Sequence, residues 1–313
     1  MKNEVVGFIG IGNVGSKLAN NLAKKNKKLY IFDLNKNTYS KFKSKNIIKC
    51  KNLDEISYNC SIIITCLPSP IAVNQVIDSL IPNIKRNHLW IEMSTTDKNE
   101  MIRLAKLIKK KGGEVLESPI TGGEHKADSG NISILSAGER KNFNRAFPYL
   151  SKMGHQILFC GKLGNASILK LITNYLASLH LIGIGEALVV AKKHNINLDL
   201  AHKAIAISSG NSFVNDTETK VILSGSYDVG FTMDLVNKDL SLFNKLATEK
   251  SINVELGKII NKIFKKGMKH FGNRSFSTKI VKLIENEYKI KFRSKNFPKQ
   301  LKDINPKQKG IEI

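Results

Sequence analysis

The chain has 313 residues, too many for one ordinary hydrophobic core and enough for two domains, and its 42% apolar content is that of a globular protein. The formal net charge of +24 raises a nucleic-acid partner, but the excess is lysine spread along the chain without an aromatic-interleaved basic motif, so a solvated surface favouring small anions is expected and no specific nucleic acid. Met1-Lys2-Asn3-Glu4 shows no secretory signal, and Cys50, Cys60, Cys66 and Cys160 lack C-x-x-C or metal-ligand spacing, so a cytoplasmic protein with reduced, structural cysteines and no metal is expected.

Val5 to Ile9 is an apolar run followed by Gly10-Ile11-Gly12-Asn13-Val14-Gly15, and then by Leu18, Leu22 and Ala23 at helical spacing. This order, strand then glycine turn then helix, is the setting a G-x-G-x-x-G needs in order to bind a dinucleotide. The first glycine permits the tight turn, the second lets a pyrophosphate approach the backbone, and the third lets helix pack on strand. Asp33 closes the next strand, Leu29-Tyr30-Ile31-Phe32, where its carboxylate can accept from the two ribose hydroxyls of an adenosine and would repel a 2′-phosphate. NAD is therefore favoured over NADP, although Lys36 lies close enough to soften that repulsion.

Strands and helices then alternate, as in a doubly wound parallel sheet. Ile47 to Cys50, Ser61 to Cys66, Leu89 to Glu92, Glu114 to Glu117, Ile132 to Leu135 and Gln156 to Cys160 read as strands, with helices between them. Loops after the carboxyl ends of such strands lie over the ligand crevice. Leu67, Pro68 and Thr95 are accordingly candidates to border a cofactor. Thr121-Gly122-Gly123 sets backbone N–H groups beside a hydroxyl and can cradle a carboxylate.

Gly161 to Asn195 reads as one long helix, about thirty residues of which make roughly 45 Å at about 1.5 Å per residue. Leu169, Ile172, Leu176, Leu179, Gly183, Ala187 and Val190 share one face, which is expected to be buried. The run is apolar enough to raise a membrane span, but Lys170, Asn174, His180 and Glu186 interrupt it, and a helix of a soluble protein is the expectation. Lys170 and Asn174 stand four residues apart, so both side chains point the same way near the helix start. Beyond this helix the period stays helical, with no further strand, until a basic, proline-punctuated stretch from about Lys289 that is expected to be mobile. The expected domains are 1–162, an interdomain helix 163–194, an all-helical domain 195–288 and a tail 289–313.

These motifs together resemble those of the β-hydroxyacid dehydrogenases, the family that contains 3-hydroxyisobutyrate dehydrogenase and tartronate semialdehyde reductase. The resemblance rests on Gly7 to Gly15, on Pro119-Ile120-Thr121-Gly122-Gly123 with Ser129-Gly130-Asn131, on Gly161, Gly164 and Lys170 to Asn174, and on Lys238-Asp239-Leu240. It implies a Rossmann-type N-terminal domain, an all-α C-terminal domain, a long helix joining them, and a homodimer or homotetramer. It also implies that Lys170 is the catalytic lysine, that Asn174 holds the substrate beside it, and that Thr121, Gly122 and Gly123 bind the substrate carboxylate. Gly10, Ile11, Gly12, Asn13, Val14, Gly15, Asp33, Leu67, Pro68, Thr95 and Lys238 would then contact the cofactor. A lysine is normally protonated at neutral pH and can give the hydroxyl proton directly during reduction.

The implied activity is NAD-dependent interconversion of a small 3-hydroxy acid and its semialdehyde, 3-hydroxyisobutyrate being the model substrate. Alternatives are reduction of tartronate or succinic semialdehyde, or a non-catalytic scaffold. Imine reductases share the architecture but usually lack the lysine. Thr121 stands where serine is usual, Thr173 and Ala166 replace a usual asparagine and glycine, and Glu124, His125 and Lys126 replace small or apolar residues. These departures bear on the substrate more than on the chemistry.

Overall fold

A computed structural model gives the structure and describes residues 4–24 and 28–313. The opening residues read for a secretory signal, Met1 to Asn3, lie outside the described set. Two compact units emerge: residues up to Lys170 together with Asp303–Ile313, and Leu171–Lys302. The first boundary therefore falls inside the long helix, later than residue 162, because the first turns of that helix pack on the sheet unit.

The first unit alternates as its sequence periodicity requires. Strand β1 (Val6–Ile9), helix α1 (Asn13–Ala23), β2 (Leu29–Phe32), β3 (Ile47–Lys49), α2 (Leu53–Asn59), β4 (Ile62–Thr65), α3 (Pro70–Leu80), β5 (Leu89–Glu92), α4 (Lys98–Lys110) and β6 (Glu114–Glu117) follow one another. After them come β7 (Ile120–Thr121), α5 (Glu124–Ser129), β8 (Ile132–Gly138), α6 (Arg140–Met153) and β9 (Gly154–Phe159). The sheet runs β9-β8-β6-β5-β4-β1-β2-β3. Pairing from β3 through β6 is parallel, but β8 runs antiparallel to both β6 and β7, so the sheet is mixed.

Each central strand is buried on both faces. Phe8, Ile31, Ile64, Ile91 and Leu116 point toward Leu18 and Leu22 of α1 and Phe143 and Leu150 of α6. Ile9, Phe32, Ile63, Trp90 and Val115 point the other way, toward Ile56, Val73, Ile77, Met101 and Ile108 of α2, α3 and α4. Period-two alternation inside continuous apolar runs is what a sheet covered on both sides demands. Cys50 and Cys66 sit at strand ends with their thiols pushed up to about 12 by burial, as inert structural cysteines should be.

The second unit is helical, as expected. Helix α7 (Asn165–Lys193) is followed by α8 (Leu198–Ala206), α9 (Phe213–Asp216), α10 (Glu218–Ser224), α11 (Met233–Thr248), α12 (Glu255–Phe271) and α13 (Lys282–Glu287). Its core gathers Leu181, Ile184 and Leu188 of α7 around Ile222, Met233, Leu240, Phe264 and Val281. Helices α9 and α10 are separated at Thr217, whose φ of −121° and ψ of −72° lie outside the helical range.

One expectation about α7 fails. The face of α7 expected to be buried is the uncovered one: Leu169 is 37% exposed, Ile172 38%, Leu176 42% and Val190 59%, and Gly183 faces open space. The core instead takes the opposite stripe of Leu171, Leu181, Ile184, Leu188 and Val189, because α7 is apolar all round and its sequence offers two candidate faces. Among the described residues α7 is also the one helix long and apolar enough to cross a membrane.

The tail, expected to be mobile and without a strand, carries specific contacts instead. Phe292 is fully buried in the helical core, and the Phe297 ring packs on His202 in a T-shaped pair. Residues 303–313 return to the first unit, where β10 (Ile311–Glu312) adds a parallel strand beside β9. Isolated anchors spaced along an irregular chain leave no periodic signal, which is why the sequence pattern missed them.

Candidate active site

The site grows from the carboxyl ends of the parallel strands. Gly10 has φ of +88°, and a Cβ there would lie 2.3 Å from the Cys66 carbonyl oxygen and 2.8 Å from Leu67 Cδ2. A Cβ on Gly15 would lie 2.0 Å from the Gly10 carbonyl oxygen, so α1 can reach the turn only where no side chain intervenes. Gly12 is different, since its Cβ position meets nothing within 4 Å. This glycine precedes α1, whose first turn receives no side-chain cap. Open backbone at an uncapped helix N-terminus is the shape and polarity a pyrophosphate requires, so these residues fit a dinucleotide.

Asp33 is drawn into the same turn. One carboxylate oxygen accepts from the Ile11 N–H at 2.8 Å and the other from the Asn35 N–H at 2.8 Å, which leaves lone pairs for further donors. Basic groups stand nearby: Lys41 Nζ donates to the Gly12 carbonyl at 3.2 Å, and Lys36 Nζ lies 4.6 Å from the centre of the Phe32 ring. Leu67 borders Gly10 and donates its N–H to Ser94 Oγ at 2.7 Å, while Pro68 beside it is exposed. The Ser94 N–H in turn donates to the buried Glu92 carboxylate, which also accepts from Thr65, and Trp90 Nε1 donates to Thr65 Oγ1 at 2.8 Å. Thr95 follows directly in this loop and is partly exposed.

Thr121 ends β7, and Gly122 and Gly123 follow with φ of +119° and +84°, a backbone that a side-chain-bearing residue adopts only with strain. The Lys126 stem lies 3.6 Å from the Cβ position of Gly122, and the His125 ring 3.2 Å from that of Gly123. Helix α5 ties this turn to α1 through Asn21 Nδ2, which donates to the Ala127 carbonyl at 2.8 Å, and through the Lys17–Glu124 ion pair at 3.0 Å. The glycine turn of α1 and the loop 121–126 are thereby fixed to one another within the first unit. His125 is held below the usual histidine value by burial and then by the Lys126 charge.

Lys170 lies in the second turn of α7 and is 7% exposed. What sets the start of α7 is Glu117, at the end of β6, a residue that sequence reasoning passed over as ordinary strand. Its fully buried carboxylate accepts from the backbone N–H groups of Gly164, Ala166 (3.2 Å) and Ser167 (3.1 Å), and from the Ser167 hydroxyl. Burial raises its pKa, and these four donors offset part of the rise. An acid at the end of an otherwise apolar strand was the available signal.

In the second unit Asn174 Nδ2 donates to Asp239 Oδ2 at 2.6 Å, and Lys238 Nζ lies 3.1 Å from Asp239 Oδ1. Asp239 is 3% exposed and binds together two residues that the sequence could place only separately. Its partner Asn174 stands one helical turn beyond Lys170 on α7.

Residues 5–161 match the model of the NAD binding domain of 6-phosphogluconate dehydrogenase, and residues 164–284 match that described as NAD-binding of NADP-dependent 3-hydroxyisobutyrate dehydrogenase. The mitochondrial 3-hydroxyisobutyrate dehydrogenase of Rattus norvegicus is 30% identical over 293 residues, covering 90% of this chain and 88% of that one. The chain belongs to the β-hydroxyacid dehydrogenase family. It is thus an NAD(P)-binding oxidoreductase of the class that acts on the CH–OH group of 3-hydroxy acids.

Among other members of the family, the 2-(hydroxymethyl)glutarate dehydrogenase of Eubacterium barkeri is 27% identical over 288 residues, 91% of this chain and 96% of that one. The fold matches that of the Mycobacterium tuberculosis 3-hydroxyisobutyrate dehydrogenase with L-serine, at a TM-score of 0.81 and 22% identity over 90% of this chain and 99% of that one. It also matches Psf3 in complex with NADP+ and 2-OPP, at a TM-score of 0.84 and 18% identity over 90% and 100% of the two chains.

Proposed function

We propose that this protein uses NAD to interconvert a small 3-hydroxy monocarboxylate, 3-hydroxyisobutyrate or a close analogue, and its semialdehyde, with Lys170 as general acid and base. The observation that carries the assignment is the placement of Lys170. Lys170 is buried in the second turn of α7, and the start of that helix is held by Glu117 at the end of β6, the strand that precedes Thr121-Gly122-Gly123.

When bound, the nicotinamide supplies the hydride acceptor or donor. The chain's own residues do the rest. The hydroxyl of Thr121 and the backbone N–H groups of Gly122 and Gly123 bind the substrate carboxylate. Lys170 Nζ, as the ammonium, gives a proton to the carbonyl oxygen as the semialdehyde is reduced and, as the neutral amine, takes one from the hydroxyl during oxidation. The family resemblance gives Asn174, which donates to Asp239, the role of holding the substrate hydroxyl, and gives Lys238, paired with the same carboxylate, that of a cofactor contact.

A monocarboxylate is favoured over a dicarboxylate such as the one named for the Eubacterium barkeri relative. The extra cation near the loop, Lys126, is paired with Asp303 at 3.0 Å, and His125 is held below its usual pKa. Neither adds an uncompensated positive charge for a second carboxylate. NAD is favoured over NADP because Asp33 offers a carboxylate, already oriented by two backbone N–H groups, to the ribose hydroxyls. The uncovered apolar face of α7, with Leu169, Ile172, Leu176 and Val190, fits an interface with a second copy of this chain. Light scattering of the purified protein should accordingly give a dimer or tetramer; a monomer at micromolar concentration would contradict this.

The assignment is tested by following the reduced-cofactor absorbance with NAD or NADP against 3-hydroxyisobutyrate, a dicarboxylate 3-hydroxy acid and their carboxylate-free alcohols. The expected result is turnover of the monocarboxylate with NAD and none of the alcohols. Equal rates with and without the carboxylate would overturn the role of Thr121-Gly122-Gly123.

A further inference from the structure

The match to the helical-domain model ends at residue 284, yet the chain runs on to residue 313 and its last eleven residues fold back onto the first unit. Asp303 leads this return. Its side chain is 2% exposed and accepts from Lys126 Nζ at 3.0 Å, Ser129 Oγ at 2.7 Å and Asn131 Nδ2 at 2.9 Å. All three donors belong to α5 or its immediate exit, the segment that follows Thr121-Gly122-Gly123. Burial alone would raise the Asp303 pKa, but these hydrogen bonds hold it well below the ordinary aspartate value.

The contacts beyond Asp303 fasten it in place. Asn131 Oδ1 accepts from the Gln308 N–H at 2.7 Å, Lys307 donates to the Lys152 carbonyl, and Gly310 lies so close to Ser151 that a Cβ would sit 2.4 Å from its Cα. At the end Arg140 pairs with Glu312, at 2.7 Å for its second hydrogen bond. The Lys126 stem lies against Gly122 while its ammonium is held by Asp303. The tail therefore decides where the Lys126 ammonium is held.

We propose that Asp303 is a positioning residue for substrate recognition. It clamps α5 from the C-terminal segment, holds the Lys126 charge away from the cradle, and fixes the Gly122-Gly123 backbone in its carboxylate-binding conformation. The inference rests on the assignment of Thr121-Gly122-Gly123 as the carboxylate site. It predicts that loss of the clamp affects substrate binding and leaves cofactor binding and the chemical step unchanged.

The test uses the full chain as wild type, Asp303→Asn, Asp303→Glu, Lys126→Gln, the double variant Asp303→Asn/Lys126→Gln, and Glu312→Gln. KM for 3-hydroxyisobutyrate, KM for NAD, kcat and amide hydrogen exchange over residues 122–131 are measured for each. Hydrogen bonds to a buried charge set the scale: Asp303→Asn should raise the substrate KM by about tenfold, with kcat and the NAD KM within about threefold of wild type.

Exchange over 122–131 should quicken in Asp303→Asn, and Asp303→Glu should recover much of the substrate KM. Glu312→Gln, which loosens only an exposed pair at the far end of the tail, should match wild type. The double variant should be less than additive. An unchanged substrate KM in Asp303→Asn, a rise shared equally by NAD, or unchanged exchange would overturn the proposal. If Asp303→Asn does not fold, Ser129→Ala removes one of the three donors to Asp303 and should quicken exchange over 122–131 and raise the substrate KM by a smaller factor; neither change appearing would overturn the proposal. If wild type turns over no 3-hydroxy acid, the substrate assignment fails by itself, and the exchange comparison still decides whether the clamp exists.

Discussion

Replacing Glu117 by alanine removes the acceptor on which the start of α7 depends. Three backbone N–H groups, from Gly164, Ala166 and Ser167, and the Ser167 hydroxyl converge on its two carboxylate oxygens in a buried environment. Each stranded buried donor costs about 1–3 kcal/mol, and loss of the negative charge at a helix N-terminus costs about 0.3–1 kcal/mol more. Because the space left by the side chain can admit water, which would satisfy one or two of these donors, we expect about 3–5 kcal/mol of lost stability rather than the full sum. Glu117→Gln keeps one acceptor oxygen and should lose roughly half as much.

The same change should reach the chemistry, since Lys170 lies in the second turn of α7 and small displacements of a proton donor are costly. Urea unfolding of the three proteins gives the stabilities, and initial rates under identical conditions give turnover. An unfolding free energy of Glu117→Ala within about 1 kcal/mol of wild type would refute the reasoning, because no arrangement of four donors around a needed buried acceptor is compatible with so small a loss.

Asp33→Ala should narrow the preference for NAD over NADP, read as the ratio of the two catalytic efficiencies; an unchanged ratio would remove Asp33 as the ribose reader. Asp239→Asn takes the charge from a carboxylate that holds both Asn174 and Lys238 and should lower the unfolding free energy by about 1.5–3 kcal/mol, with no loss expected only if those contacts do not form in solution. His125 should titrate below its ordinary value of 6.5, being depressed first by burial and then by Lys126. Since the folded state then binds fewer protons than the unfolded state, the stability His125 contributes is present above pH 6.5 and is lost as pH falls through the lowered folded value. An imidazole NMR midpoint at or above 6.5 would contradict that depression.

The sequence carried the first unit well because its signals are periodic and local. Continuous apolar strands, the glycine turn after β1 and Asp33 at the end of β2 each follow from constraints that act over a few residues. Contacts between distant segments left no such trace. Glu117 looks like any acid at a strand end until Gly164 and Ser167 are seen above it, and Asp303 sits in an aperiodic basic stretch whose meaning comes from Lys126, Ser129 and Asn131 far earlier in the chain. The face of α7 was misjudged for a related reason. Its apolar residues encircle the helix, so periodicity could not say which stripe, Leu171-Leu181-Ile184-Leu188 or Leu169-Ile172-Leu176-Val190, the core would take.

The most direct test of the account compares wild type with Lys170→Ala under saturating NAD and 3-hydroxyisobutyrate, with NAD affinity measured on the same samples by fluorescence. The account predicts turnover lower by about two to four orders of magnitude, the usual range for a proton-transfer group, with NAD affinity and thermal unfolding unchanged. Turnover within a factor of about three of wild type would show that the proton moves by another route, and the role assigned to Lys170 would fall.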